Sequence, residues 1–181
     1  MSTAITLKGA DFTIENLSSK KTAFYLFSIM FVAGNLALPY ICHAIPNGGK
    51  MFLPIFFFTL IAGYKFGWKT GVLTAVVSPL ANYLLLGMPA AGMLLSVIGN
   101  SILIAAIAAF IASKTNRISL SLVMTVTVSH QVLAALISLA FGRSFDAAYA
   151  AIITAIPGMI LQIAGGCAVL RALRGYEIKN S

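Results

Sequence analysis

The chain has 181 residues, of which 60% are hydrophobic and only 9% charged, with a mean hydropathy of +0.97. Soluble domains carry roughly 25% charged residues, so a water-exposed globule of this size is excluded, as is a soluble domain on a single anchor, because the apolar runs recur from Thr22 to Leu170. The net charge of +8 does not indicate nucleic acid: the basic residues stand at the ends of apolar runs rather than along one stripe, and no nucleic-acid partner is expected.

In chain order, residues 1–21 form a mixed polar segment (Lys8, Asp11, Glu15, Lys20, Lys21) with no apolar core, so no cleavable signal peptide is expected. Six spanning helices are then predicted, giving an all-α polytopic membrane bundle over 22–171 and a tail at 172–181. They are Thr22–Cys42, Met51–Phe66, Thr70–Leu86, Ala91–Ser113, Ile118–Phe141 and Ala147–Leu170. Turn chemistry separates several of them: Pro46-Asn47-Gly48-Gly49, Gly87-Met88-Pro89 and Phe141-Gly142-Arg143. The runs are continuous rather than alternating, which argues against a β-barrel. Cys42 and Cys167, both inside predicted spans, make neither a disulfide framework nor a metal spacing.

Orientation follows from the basic residues. Lys8, Lys20, Lys21, Lys65, Lys69, Lys114, Arg117, Arg171, Arg174 and Lys179 fall on one side, against Lys50 and Arg143 on the other. The positive-inside rule then puts both termini in the cytoplasm, as an even number of spans requires. The cytoplasmic links are short and basic. The external ones are richer in Gly and Pro, as expected of an outward-facing binding cavity.

The four acids are Asp11, Glu15, Asp146 and Glu177, none inside a predicted span. Ion-coupled carriers usually keep an intramembrane carboxylate, so self-powered transport is disfavoured. No GxSxG, HExxH, paired-carboxylate or GxxxxGK[ST] pattern occurs, and neither enzymatic activity nor a cofactor or metal is expected. The buried polar residues are Asn35, Ser78, Asn82, Asn100, Ser101, His130, Gln131 and Gln162. Each is explained by interhelical hydrogen bonding, and Asn82, Asn100 and Gln131, facing inward from the outer half, are expected to line a cavity for a neutral solute. His130 and Gln131, being adjacent, point ~100° apart and cannot share one cavity. His43 is an interfacial residue or a ligand contact. Small residues at four-residue spacing, Ala33 with Ala37 and Gly63 with Gly67 and Gly71, make stripes for close helix packing, within the chain or against a partner.

The stretches His43-Ala-Ile-Pro-Asn-Gly-Gly-Lys-Met-Phe-Leu-Pro-Ile, Leu60-Ile-Ala-Gly, Gly67-Trp-Lys-Thr-Gly and Ser78-Pro-Leu-Ala-Asn-Tyr-Leu-Leu-Leu-Gly-Met-Pro89 resemble the substrate-binding (S) components of energy-coupling factor (ECF) vitamin transporters. The resemblance covers roughly the first hundred residues. It implies capture of a vitamin or related micronutrient from outside a bacterial or archaeal inner membrane. It also implies uptake through a membrane scaffold (T) subunit and two ATPase subunits. By that resemblance Ala33 and Ala37 are docking candidates, and His43, Asn47, Lys50, Asn82, Tyr83, Asn100 and Arg143 are substrate-binding candidates. Lys50 and Arg143 as the only outer cations favour a neutral or anionic compound. Cys42 and His43 leave open a contact to the cobalt of a cobalamin. The alternatives are a stand-alone small-solute carrier or channel, and an integral-membrane enzyme using His43 or His130.

Overall fold

A computed structural model of the chain describes residues 10–11, 22–42, 46 and 48–174, with backbone alone at 10–11 and Lys50. His43, Asn47 and the tail beyond Arg174 lie outside the described residues, as does the N-terminal segment apart from Ala10–Asp11. The helices are α1 (Thr22–Cys42), α2 (Gly48–Phe52), α3 (Pro54–Leu86), α4 (Ala91–Thr115), α5 (Leu120–Ala140) and α6 (Phe145–Ala172). Two-residue strands β1 (Ala10–Asp11) and β2 (Arg117–Ile118) pair antiparallel, Ala10 opposite Ile118. Five helices, α1, α3, α4, α5 and α6, are long and apolar enough to cross a bilayer. Their outer faces carry bare apolar side chains such as Ile29, Leu84 and Leu95, the last 82% exposed. Lipid tails solvate such faces as well as a protein core would. The chain is an all-α, multi-pass membrane protein.

The six helices expected from the sequence are not found, because the second and third predicted spans run together through Gly67 into α3. Gly48 and Gly49, expected in a turn, instead open α2. Helix α3 starts at Pro54, which suits a helix's first turn, after Leu53 in the left-handed region. Helix α5 starts later than predicted because the Ser119 hydroxyl accepts from the Leu122 amide, and α6 starts earlier because Ser144 does the same for Ala147.

Within α3 the chain reverses. Gly67 has φ 79° and ψ −177°, a backbone region open essentially to glycine alone. A Cβ on Gly71 would lie 2.9 Å from the Cα of Gly63, whereas residues eight apart in a straight helix are separated by ~12 Å. The two arms, 54–66 and 68–86, therefore fold back on each other. Ala105 of α4 wedges against both, its carbonyl 2.7 Å from a Cβ on Gly63 and its own Cβ 3.1 Å from one on Gly71. The Gly63–Gly67–Gly71 run is thus taken up inside the chain.

The first arm is the centre of the bundle. Every residue from Phe56 to Gly67 except Phe58 is buried, as expected for a helix apolar on all sides. The Phe27 ring near the start of α1 stacks on Phe66 at 4.5 Å, and Tyr64 Oη donates to the Arg117 carbonyl at 2.7 Å. The start of α1, the Gly67 reversal, the α4–α5 link and β1 consequently share one end of the molecule, the near end. The links at 87–90 and 141–144 lie at the opposite, far end, and α2 ends part-way toward it, with its Phe52 backbone against Gly158 near the middle of α6.

Candidate functional site

Side-chain packing among α4, α5 and α6 runs from the near end only part of the way. On α4 no residue from Ala91 to Asn100 is buried, on α5 none from Gln131 to Ala140, and at the start of α6, over 145–154, only Ala148 is. A Cβ on Gly92 or Gly99 would meet nothing within 4 Å. The bundle therefore opens at its far end, and the polar side chains buried beneath the floor of that opening form the candidate site.

Its depth can be read from helix contacts. A Cβ on Gly166 would touch Leu60 Cδ2 and Val123 Cγ1, each at 3.7 Å, which defines an apolar layer joining α6, α3 and α5. Helices α5 and α6 run antiparallel, so one turn toward the far end brings Thr127 level with Gln162. The first arm of α3 runs parallel to α6. Gly158 is packed against the Phe52 backbone (2.6 Å) and Gly165 against the Phe57 ring (3.1 Å), so Gln162 comes level with Phe56. His130, one turn above Thr127, sets its ring edge-on to Phe56 at 5.3 Å. The same ring stands beside the Asn100 backbone.

These groups are buried and unpaired. Thr127, His130 and Gln162 are at most 1% exposed, and the Thr127 hydroxyl, both His130 ring nitrogens and both ends of the Gln162 amide have no hydrogen-bond partner. A buried polar group left so costs about 1–3 kcal/mol. Ser101, Thr70 and Thr74, at the α3–α4 contact, also have unpaired hydroxyls.

At the same depth α1 and α3 are handled in the opposite way. Asn35 Nδ2 donates to Thr59 Oγ1 at 2.9 Å and to Ser78 Oγ at 3.0 Å, while its Oδ1 accepts from the Phe58 amide at 3.2 Å. Asn82 Nδ2 donates to the Asn35 and Ser78 carbonyls, both at 2.9 Å, leaving its Oδ1 unpaired. One half of the polar layer is a bonded clamp, and the other is the unpaired set on α5 and α6.

The sequence-derived candidates do not gather at one place. Asn100 is half-buried beside His130 and joins the site. Asn82 belongs to the clamp. The Gly71–Ala105 pairing sets it level with Leu94, about 9 Å along the axis from Asn100. Tyr83, next to it, is half-buried, and Arg143 is exposed about 15–20 Å beyond His130 along α5. Ala33 and Ala37 are exposed on the outer face of α1. His43 and Asn47 lie outside the described residues, as does the Lys50 side chain. Thr127, His130 and Gln162 were not among the binding candidates. The signal that finds the two on α5 is the stripe Val123-Val126-Thr127-His130, one buried face of that helix. Among the described residues no three of His, Cys, Asp and Glu come together to hold a metal, and Cys42 and Cys167 are free, buried thiols.

No curated protein and no solved structure matches the chain. A family model does: that of the 5TMR of 5TMR-LYT, a five-helix membrane domain, which matches residues 13–174 and so takes in every spanning helix and the site between them. The chain belongs to the 5TMR of 5TMR-LYT family.

Proposed function

We propose that this chain is a solute-capturing membrane subunit of the ECF S-component type, set in a bacterial or archaeal inner membrane. Both termini face the cytoplasm, and the far-end opening faces out. In this reading α2 together with the first arm of α3, 48–66, makes one crossing and the second arm another, giving six passes. The reversal at Gly67 then keeps ten Lys and Arg on the cytoplasmic side against two outside. The opening between α4, α5 and α6 above buried, unpaired polar groups is the observation that carries the proposal. A bundle whose only task was to pack would close there with apolar side chains.

The same reading assigns import to a membrane scaffold subunit and two ATPase subunits, with Ala33 and Ala37 on the bare face of α1 as the docking stripe. None of the four acids lies deep within a spanning helix, Asp146 standing in the first turn of α6. This favours delivery to a powered partner over ion-coupled transport by the chain alone.

Detergent-purified protein, titrated by calorimetry against a panel of vitamins and their precursors, is expected to bind one compound at submicromolar affinity. A panel in which nothing binds more tightly than about 100 μM, near −5.5 kcal/mol, overturns the proposal. Proteoliposomes holding this chain alone are expected to show no gradient-driven uptake of the compound that binds. Uptake would place the chain among stand-alone carriers instead.

A further inference from the structure

We propose that Thr127, His130 and Gln162, with the Phe56 ring, bind the deep end of the solute, and that this end is an uncharged planar ring with an amide-type edge, an N–H beside a C=O. The inference rests on the solute-capture reading above and names the chemistry that reading would admit.

Three features of the site select this class. First, the unpaired atoms are donors and acceptors in mixture: one hydroxyl at Thr127, two imidazole ring nitrogens at His130, and the carbonyl oxygen and NH2 of a primary amide at Gln162. A primary amide pairs two-fold with another amide edge, donor to acceptor on both sides. Second, no full charge is available to neutralise an ionic ligand. Apart from His130, the Lys, Arg, Asp and Glu side chains of α4, α5 and α6 are Lys114, Asp146 and Arg171, all at helix ends. Burying an ion without a counter-charge is far costlier than burying a neutral polar group. Third, Phe56 offers an aromatic surface at the level of Gln162, with His130 meeting it edge-on and the Leu60–Val123–Gly166 layer closing the bottom. A flat ring fits such walls better than a flexible chain.

The test uses the full purified chain, two pairs of probes and one substitution. Uracil is compared with orotate and nicotinamide with nicotinate, each pair differing by a carboxylate. At least one uncharged member is expected to bind about tenfold or more tightly than its anionic counterpart. Gln162→Leu is expected to weaken that binding by about tenfold or more, while the ligand-free melting temperature stays level or rises, because an unpaired buried amide has been replaced by an apolar side chain of similar size. His130→Phe, which keeps a ring against Phe56, is expected to do likewise. A preference for the carboxylates, failure of both pairs to bind, unaltered binding in Gln162→Leu, or a lowered melting temperature in that variant each overturns the assignment. If a vitamin binds in the broader panel while the probe pairs fail, only this inference falls. If nothing binds at all, the solute-capture reading falls with it.

Discussion

Gly63 and Gly71 meet backbone to backbone, a Cβ on Gly71 falling 2.9 Å from the Cα of Gly63. Two arms of one helix approach this closely only where neither carries a side chain, and Ala105 of α4 fills the remaining groove. Gly71→Val is therefore expected to destabilise the protein by about 1–3 kcal/mol, the range for overpacking a tight core. Gly99→Ala, at a position with nothing nearby, is expected to be neutral or slightly stabilising, since alanine favours the helix. Thermal unfolding in one detergent compares the two; equal melting temperatures would contradict the close approach.

Asn35 makes three hydrogen bonds that tie α1 to both arms of α3. Interhelical hydrogen bonds in membrane proteins average about 0.6 kcal/mol each, so Asn35→Leu is expected to cost about 2 kcal/mol. Solute affinity should change little, because the clamp lies on the opposite side from Gln162. A variant that melts like the parent would show the clamp to be idle.

Gly158 packs on α2 with a virtual Cβ 2.6 Å from the Phe52 carbonyl carbon. Backbone cannot retreat as a side-chain tip can, so Gly158→Val should push α2 off α6. The expected result is both a lower melting temperature and weaker solute binding, since Gly158 and the Phe52 backbone it meets lie one helical turn above Gln162. Loss of neither would place α2 outside the site.

Reporter fusions at the two termini test the passage of α3. If its arms cross separately, cytoplasmic reporters at both ends are active. Activity at one end only means five crossings, and the outward direction of the opening would have to be reassigned.

Ala33 and Ala37 are exposed and touch no core residue. Ala33→Trp is thus expected to leave melting temperature and solute affinity unchanged while abolishing co-purification with a scaffold subunit, because an indole holds the partner helix away. Undiminished co-purification would remove α1 as the docking face.

Much of this architecture was legible in the sequence. Apolar run lengths placed α1, α4, α5 and α6 to within a few residues, and the errors at α5 and α6 trace to Ser119 and Ser144, ordinary residues until their hydroxyls cap a helix. The count of separate helices was not legible. Gly67 reads as a break, and the chain does reverse there, but its two arms follow one another with no loop residues between them. The site was harder still. Asn82 and Asn100 look equivalent in the sequence, yet one is spent on a clamp and the other stands near His130, a difference set by the Gly71–Ala105 register rather than by residue type. His130 and Gln162 each read as a common interhelical bond; only their lack of partners distinguishes them.

The Asn35 clamp also divides the molecule mechanically. A force on the bare face of α1 cannot peel that helix away, because its pull passes through Asn35 into Thr59, Ser78 and the Phe58 amide. Helices α1 and α3 will therefore travel as a single lever. Under the proposed reading, the compliance that would admit a solute is left to the far halves of α4, α5 and α6, where no comparable cross-tie exists among the described residues.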